Sequence, residues 1–254
     1  MILREIYDYI DSFAPFSTQC DFDNAGFLVG NESEELSFGV VALDVTNEAI
    51  DFAESVGANL IVTHHPVIFE GLKCVKSDSL VYRLIKSGIS VISAHTNLDM
   101  AKGGINDTLC EILWLQNVRG VLPENNVFAA RIGNLSEPLT PDEFGAAIQM
   151  NLSPASIKYV KGRENIVKVA VCSGSGGSML NELAESEIQA FVTADVKHNL
   201  FLEASRLGIS LYDCGHFDTE DIIVSPLTTR LNEKFGNKFH EFHSEIIKTV
   251  ATDF

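Results

Sequence analysis

Short apolar runs and helix-spaced apolar positions alternate along most of this chain. Near the start, apolar side chains at positions 3, 6, 7 and 10 have helical spacing, and Pro15 ends the predicted helix. Further along, apolar runs rich in β-branched residues predict strands at 38–43, 59–63, 89–93, 167–172, 188–193 and 209–212. Helical patterns fall between several of them, at 47–56, 78–87, 105–115 and 199–207. This alternation predicts an α/β fold with mixed, mainly parallel sheets and flanking helices.

A stretch rich in glycine, proline and asparagine, residues 119–127, is the best candidate for a joint between two halves. We therefore predict a first α/β domain over residues 1–125 and a second α/β half over residues 126–254. The sequence after this joint also contains a signal for the start of a helix. The segment Thr140-Pro141-Asp142-Glu143 combines a capping threonine, a proline at the first helical position and a glutamate that completes a capping box.

The composition narrows the classes of function. A formal net charge of −17 repels phosphate backbones, and no run of lysine or arginine compensates for it, so nucleic acid is not an expected partner. Five cysteines without a CxxC pair fit reduced thiols in the cytosol. Asp8, Asp11 and Pro15 interrupt the apolar positions near the start, so we expect neither a signal peptide nor a bilayer span there. We expect a cytoplasmic protein with no membrane partner.

Three of the predicted strands are followed directly by histidines and carboxylates. Four of the seven histidines lie in these three short segments. In open α/β sheets, ligands bind in the crevice outside the carboxyl ends of the strands, so we expect these side chains to meet at one edge. The segments are Thr63-His64-His65-Pro66, Ala94-His95-Thr96-Asn97-Leu98-Asp99 and Asp213-Cys214-Gly215-His216-Phe217-Asp218-Thr219-Glu220.

The spacing inside these segments suits a common site. His64 and His65 would face opposite ways in a regular strand, so both can reach one site only if the strand stops there, and Pro66 forces an extended exit. Two further pairs are four residues apart, which puts both members on one side of a helical turn. These pairs are His95 with Asp99 and His216 with Glu220.

The six side chains together predict a metal site. A single histidine after a strand is more often a hydrogen-bonded structural residue than a ligand. Six imidazole and carboxylate groups in three such segments favour a metal site, and they exceed the three or four ligands that one zinc-like ion uses. A carboxylate can bridge two ions, so we predict two divalent transition-metal ions per chain. Zinc, iron, manganese, cobalt and nickel all suit these ligands.

Several other residues have two interpretations. Asp23-Asn24 is typical of a turn, although the carboxylate could accept a hydrogen bond from a ligating imidazole. The glycine-rich segment 171–178 could cradle phosphate, but a tight strand-to-helix turn is the commoner reason for such glycines. Asp44 and Thr46 are expected to cap the helix that begins near residue 47.

Five segments spread over nearly the whole chain form a recognisable set. They are Phe22-Asp23-Asn24-Ala25-Gly26-Phe27-Leu28-Val29-Gly30, Thr63-His64-His65-Pro66-Val67-Ile68-Phe69, Ala94-His95-Thr96-Asn97-Leu98-Asp99, Gly103-Gly104-Ile105-Asn106-Asp107 and Gly215-His216-Phe217-Asp218-Thr219-Glu220. Together they resemble the NIF-three-like family, whose members are named GTP cyclohydrolase 1 type 2 homologues. The resemblance implies two α/β domains that face a cleft with a dinuclear metal centre, assembled as a ring-shaped homohexamer. The ligands that it implies are His64, His65, Asp99, His216 and Glu220, and His95 matches a position beside the metals.

A pair of metal ions that share a water molecule lowers the pKa of that water, which makes hydrolysis the natural reaction class. With the resemblance added, the leading hypothesis is a metal-dependent hydrolase that acts on a nucleotide or related phosphorylated small molecule, as a GTP cyclohydrolase does. His95 could then move a proton. The alternative is a non-catalytic metal-binding or regulatory scaffold, because fold similarity alone does not decide function.

Overall fold

The structure is a computed structural model that describes residues 1–163 and 165–247 of the 254-residue chain. Its strands are β1 (Gly26–Val29), β2 (Gly39–Ala42), β3 (Leu60–Thr63), β4 (Ser90–Ser93), β5 (Gln116–Glu124), β6 (Val127–Leu139), β7 (Lys158–Val160), β8 (Ile166–Val171), β9 (Ala190–Thr193), β10 (Ser210–Asp213) and β11 (Phe239–Phe242). Its α-helices are α1 (Leu3–Phe13), α2 (Asn47–Ser55), α3 (Leu80–Ser87), α4 (Thr96–Met100), α5 (Ile105–Ile112), α6 (Pro141–Leu152), α7 (Leu180–Ala184), α8 (His198–Leu207), α9 (His216–Glu220) and α10 (Val224–Phe235). These elements form two compact units. The first is Met1–Lys102 with Ile223–Ile247, and the second is Gly103–Ile222.

The first unit is built on a five-stranded sheet with the strand order β1-β4-β3-β2-β11. The strands β4, β3, β2 and β11 run parallel, and β1 pairs antiparallel with β4 at the edge. Every residue of β2, β3 and β4 is buried. Such uninterrupted burial is typical of parallel strands that are covered on both faces.

Side-chain and glycine caps fix the helices between these strands. Thr46 accepts a hydrogen bond from the amide of Ala49 at 3.0 Å and so caps α2, as predicted. Ser79 caps α3 in the same way, with the amide of Tyr82 at 3.2 Å. Gly88 ends α3 with a φ of +66°, a left-handed conformation that glycine adopts without strain. The chain therefore enters β4 two residues after the helix cap.

The second unit is built on a six-stranded sheet with the order β5-β6-β8-β9-β10-β7. The strands β8, β9 and β10 run parallel, whereas β5 with β6, β6 with β8 and β10 with β7 pair antiparallel. Alternate residues of β8 enter different apolar clusters, because Val169 and Val171 pack in one and Ala170 in the other. Both faces of this sheet are therefore covered.

The hairpin of β5 and β6 lies where the sequence predicts a joint between two halves. The predicted boundary, between residues 125 and 126, falls in the hairpin turn, where Asn125 and Asn126 have φ values of +42° and +66°. Asparagine tolerates this left-handed backbone and favours two-residue hairpin turns, so the polar pair marks a strand reversal inside one sheet. The predicted domains 1–125 and 126–254 are corrected accordingly, since the chain leaves the first unit after Lys102 and returns to it at Ile223.

Each strand and helix predicted from the sequence corresponds to an observed element, and the α/β class with mixed sheets is confirmed. The predicted capping box also forms at the start of α6. Glu143 Oε2 accepts from the amide of Thr140 at 2.8 Å, and Thr140 Oγ1 accepts from the amide of Glu143 at 3.3 Å. Within the described residues, every helix is too short or too polar to cross a lipid bilayer.

Candidate metal centre

The carboxyl end of the parallel sheet in the first unit carries three of the predicted site histidines. The strands β3 and β4 are parallel neighbours, and their last residues, Thr63 and Ser93, pair with each other. His64 and His65 follow β3 directly, and His95 follows β4 after one residue. The three imidazoles therefore leave the sheet at the same edge, as the sequence predicts.

The three imidazoles form a close group. The ring centroids of His64 and His65 are 4.9 Å apart, those of His64 and His95 are 5.0 Å apart, and those of His65 and His95 are 5.5 Å apart. One ring nitrogen from each residue lies within 4.8 Å of the other two. Three imidazoles at this spacing could hold a metal ion.

His64 and His65 both reach this group because the regular strand ends at Thr63. Their amides still donate to the carbonyl oxygens of Ala42 and Leu43, at 3.3 and 3.0 Å, and this holds the backbone beside β2. The hydroxyl of Thr63 donates to the carbonyl of His65 at 2.9 Å, which bends the chain. The bend brings together two side chains that would otherwise face opposite sides of the sheet.

Each imidazole of the group directs Nδ1 at an oxygen that can only accept a hydrogen bond. The three pairs are His64 with the carbonyl of Ala94 at 2.9 Å, His65 with Asp44 Oδ1 at 2.8 Å, and His95 with Asp23 Oδ1 at 2.8 Å. Nδ1 must therefore carry the proton, and in the neutral ring Nε2 keeps its lone pair. Histidines that ligate metals are almost always oriented in this way by a carboxylate or a backbone carbonyl.

Asp23 binds more than the imidazole of His95. Its other oxygen accepts from the amide of Thr96 at 3.0 Å and from the hydroxyl of Thr96 at 2.5 Å. Burial raises the pKa of Asp23, but the hydrogen bonds from His95 and Thr96 outweigh this effect and lower the pKa to about 2. The carboxylate thus stays ionised and fixes both the imidazole and the start of α4. Of the two interpretations of Asp23, this geometry favours the one in which it orients an imidazole.

Asp99 lies on α4, one helical turn after His95. Its Oδ1 is 3.6 Å from Nε2 of His64. Two donors that hold one zinc-like ion at about 2.1 Å in a tetrahedral arrangement lie about 3.4 Å apart. The observed separation therefore fits a metal ion held by His64 and Asp99.

The second unit brings His216 and Glu220 together on the short helix α9. Nε2 of His216 lies 2.9 Å from Glu220 Oε2, which is a hydrogen-bond distance. Nδ1 of His216 lies 2.7 Å from Asp195 Oδ2. This fourth imidazole therefore follows the same rule as the three in the first unit, with Nδ1 on an acceptor and Nε2 beside another candidate ligand.

A buried carboxylate changes the acid–base behaviour of His216. The hydrogen bond with Glu220 raises the pKa of His216 to about 9, although burial acts in the opposite direction, and Asp195 adds to the rise. In the metal-free protein, His216 and Glu220 therefore hold a proton between them at neutral pH. A metal ion that binds to these two residues must displace that proton.

The backbone of Gly174 packs against the same two side chains. A Cβ atom at Gly174 would lie 2.1 Å from Glu220 Oε1 and 3.3 Å from His216 Cε1, and the φ of Gly174 is +54°. A side chain at this position would thus displace the carboxylate of Glu220 in addition to straining the backbone. Glycine is needed here for both reasons.

The loop around Gly174 is held by hydrogen bonds inside the second unit. The amide of Gly174 donates to Thr219 Oγ1 at 3.2 Å, and the amide of Gly176 donates to Thr193 Oγ1 at 3.0 Å. These two amides are therefore engaged within the protein. Of the two interpretations of segment 171–178, this favours a tight turn over a phosphate cradle.

A family model described as Duf34/NIF3 (NGG1p interacting factor 3) matches residues 1–252 of the chain. The chain belongs to this family. The GTP cyclohydrolase 1 type 2 homolog of Clostridium perfringens (strain 13 / Type A) is 30% identical to it over 247 residues, which cover 93% of this chain and 94% of that protein. The resemblance seen in the sequence motifs is thereby confirmed.

Two solved structures share the fold of this chain. The crystal structure of Staphylococcus aureus hypothetical protein SA1388 matches with a TM-score of 0.88 and 24% identity, over 98% of this chain and 99% of that chain. The Bacillus cereus protein related to NIF3 matches with a TM-score of 0.86 and 22% identity, over 100% of this chain and 99% of that chain. At these identities the likeness concerns the fold alone.

Two residues that orient imidazoles in this Duf34/NIF3 chain are not predicted from the sequence. Asp44 was expected to cap α2, but it accepts from His65 instead, and Asp195 had no predicted role. Each aspartate stands two residues after a strand, β2 or β9, that is the parallel neighbour of the strand bearing its histidine. An aspartate two residues after the neighbouring parallel strand is therefore a sequence signal from which both roles could have been predicted.

Proposed function

We propose that this chain is a metal-dependent hydrolase with a dinuclear metal centre. The supporting observation is the common orientation of four imidazoles, each with Nδ1 on an acceptor oxygen. This orientation makes Nε2 the ligating nitrogen of each imidazole, and Asp99 and Glu220 add carboxylates. Six donors exceed the needs of one tetrahedral ion, so we propose two ions.

The proposed ligands are His64, His65, Asp99, His216 and Glu220. The ions are divalent transition metals such as zinc, iron, manganese, cobalt or nickel. When bound, two such ions supply a water molecule of lowered pKa, and hence hydroxide near neutral pH. We assign Glu220 as the carboxylate shared by both ions, because a carboxylate has two equivalent oxygens with lone pairs to spare.

We assign proton transfer to His95. Its Nδ1 proton is donated to Asp23, so Nε2 is the nitrogen that can accept a proton during the reaction. Asp23 remains ionised at neutral pH and stabilises the imidazolium that forms. His95 can then return the proton to the leaving group.

The proposed substrate is a nucleotide or a related phosphorylated small molecule. The name of the similar clostridial protein, GTP cyclohydrolase 1 type 2 homolog, supports this class. For opening of a purine, water would add to the ring carbon between the two imidazole nitrogens, and one carbon–nitrogen bond would break. One proton of the water would go to the nitrogen that keeps the carbon. The other would pass through His95 to the departing nitrogen as the added hydroxyl becomes a formyl carbonyl, so that atoms and charge balance.

We propose that the active form is a homo-oligomer, specifically the homohexamer implied by the family resemblance. A closed assembly would also cover apolar edges of the chain. We further propose that it acts in the cytoplasm, which the five cysteines without a CxxC pair support.

The test is turnover of purified, metal-reconstituted protein against a panel of nucleotides. We expect hydrolysis of at least one nucleotide, with a loss of about a hundredfold or more in kcat for Asp99→Asn and Glu220→Gln. Glu203→Gln is the matched control, because Glu203 is an α8 carboxylate that pairs with Arg206. If the reconstituted protein binds two ions but hydrolyses no nucleotide of the panel, the result would favour the non-catalytic scaffold instead.

A further inference from the structure

Two phenylalanines with exposed rings stand beside the three-histidine group. The rings of Phe22 and Phe69 have centroids 6.4 Å apart, and the side chains are 67% and 47% exposed. The ring of Phe69 also makes an edge contact with the imidazole of His95, with centroids 6.1 Å apart and planes at 74°. Phe22, Phe69 and His95 thus form a continuous aromatic surface that ends at the candidate metal ligands.

Other exposed phenylalanines of the described residues have partners that account for them. Phe128 covers Gly120 across the β5–β6 hairpin, where a Cβ atom at Gly120 would lie 2.3 Å from the ring. Phe38 packs beneath Lys238, whose ammonium lies 5.9 Å from the ring centroid. Phe22 and Phe69 are more exposed than either, and the rings they contact are each other and His95.

The backbone beside both rings is fixed. Asn24, two residues after Phe22, donates from Nδ2 to the carbonyl of Ile68 at 2.6 Å. Asp23 is held in turn by His95 and Thr96. A binding surface whose backbone is already ordered loses less conformational entropy when a ligand binds.

We propose that Phe22 and Phe69 form a stacking surface for the planar ring of a small aromatic or heteroaromatic substrate. This inference rests on the proposed hydrolase function, and it adds that the part of the substrate next to the metal ligands is a flat ring. Exposed aromatic faces beside a few convergent polar groups are typical of ligand sites. A ring stacked on Phe69 lies next to His95, the residue assigned to proton transfer.

The inference is tested by binding to the metal-loaded full-length protein. The probes are the four common nucleoside 5′-monophosphates and ribose 5-phosphate, which carries the same sugar phosphate without a base. We expect at least one nucleotide to bind more tightly than ribose 5-phosphate, and Phe22→Leu and Phe69→Leu each to weaken that nucleotide about tenfold. Ribose 5-phosphate should be unaffected by either change.

Conservative and control variants separate stacking from general damage. Phe22→Tyr and Phe69→Tyr keep an aromatic ring and should bind the nucleotide about as tightly as the wild type. Phe38→Leu, a change to an exposed phenylalanine in the same unit that packs beneath Lys238, should leave binding unchanged. A Phe22→Trp reporter in a Trp114→Phe background should lose fluorescence when a base stacks on it, and Trp114 is the only tryptophan of the chain.

Several outcomes would overturn the stacking surface. The first is equal binding of ribose 5-phosphate and of every nucleotide, and the second is unchanged binding in both leucine variants. A change of mass by light scattering in those variants would instead assign the two rings to a contact between copies of this chain. Stacking without turnover would refute only the hydrolase function, whereas turnover of a substrate without an aromatic ring would refute only the stacking surface.

Discussion

Asp23 accepts a hydrogen bond from His95 at 2.8 Å, although the two residues are 72 positions apart in the chain. The bond joins the loop before β1 to the loop after β4, and these are neighbouring antiparallel strands. A single carboxylate thereby fixes which nitrogen of His95 faces the candidate metal group. It also ties the start of α4, which carries Asp99, to the same loop.

Asp23→Asn should weaken metal binding without removing any ligand. The change weakens the hydrogen bonds that hold Thr96 at the start of α4, the helix that carries the proposed ligand Asp99. Loss of such supporting contacts typically reduces metal affinity about 10- to 100-fold. Competition against a chelating dye measures the affinity. Asp21→Asn is the control, because Asp21 is an exposed acid two residues earlier. Equal affinities for the two variants would contradict a positioning role for Asp23.

Gly174→Ala should weaken metal binding beyond what backbone strain explains. The new methyl group would overlap Glu220 Oε1 and displace the carboxylate. Gly103→Ala is the matched control, since Gly103 has a φ of +72° and open space where a Cβ atom would lie. Both variants should lose about 1 to 2 kcal/mol of unfolding free energy from the left-handed backbone. A metal affinity that falls equally in both would show that strain alone is responsible.

The native protein should carry about two transition-metal ions per chain. The prediction follows from six candidate donors, which exceed the ligand number of one tetrahedral ion. Elemental analysis after mild purification, and again after reconstitution, gives the stoichiometry. One ion per chain at saturation would count against a paired site.

Glu220→Gln should weaken both proposed metal sites together. The substitution keeps the shape of the side chain but removes the charge of the proposed shared ligand. His64→Ala should chiefly weaken one site, and it serves as the comparison. Calorimetric titration with Zn²⁺ distinguishes the two patterns. If Glu220→Gln lost one site while the other kept its wild-type affinity, the bridging role would pass to Asp99 or to solvent.

The protonation of His216 should make metal affinity rise with pH and the stability of the metal-free protein fall with pH. The folded pKa of about 9 is above the unfolded value near 6.5, so the protonated His216–Glu220 pair stabilises the metal-free protein fully below about pH 6.5. This contribution is lost as the pH rises through about 9. Metal must displace the proton, so affinity should rise about tenfold per pH unit up to about pH 9.

Thermal melts of the metal-free protein, with Glu220→Gln as reference, measure this effect. The melting temperature of the wild type should exceed that of the variant most near pH 6, and the difference should shrink towards pH 9.5. A difference that is constant between these pH values would contradict the shared proton.

The sequence predicts that His64, His65 and His95 lie close together, because each follows the end of a strand. The short buried strands β3 and β4 have an unmistakable apolar pattern, and His64, His65 and His95 follow them immediately. The ends of parallel neighbours share one sheet edge, so proximity follows from topology. The expectation that all three segments leave one sheet edge is wrong for His216 and Glu220, because β10 belongs to the six-stranded sheet and β3 and β4 to the five-stranded one.

The sequence predicts less where the deciding contact is remote or the local signal is ambiguous. The pair Asn125-Asn126 suits a linker as well as a hairpin turn, and only the pairing of β5 with β6 decides between them. Asp44 suits a helix cap, and only the three-dimensional position of His65 reveals its role. Nothing in the sequence around Gly174 indicates that its backbone lies so close to Glu220 that a Cβ atom would overlap the carboxylate.

One of the four oxygens that orient the imidazoles belongs to no side chain. Asp23, Asp44 and Asp195 could each be traced by comparing sequences, but the partner of His64 is the carbonyl of Ala94. Every amino acid carries that carbonyl, so the identity of residue 94 does not reveal the orienting group. A design that places these histidines in another scaffold must therefore also reproduce the backbone directly after β4. Side chains alone would leave His64 without the carbonyl that orients it.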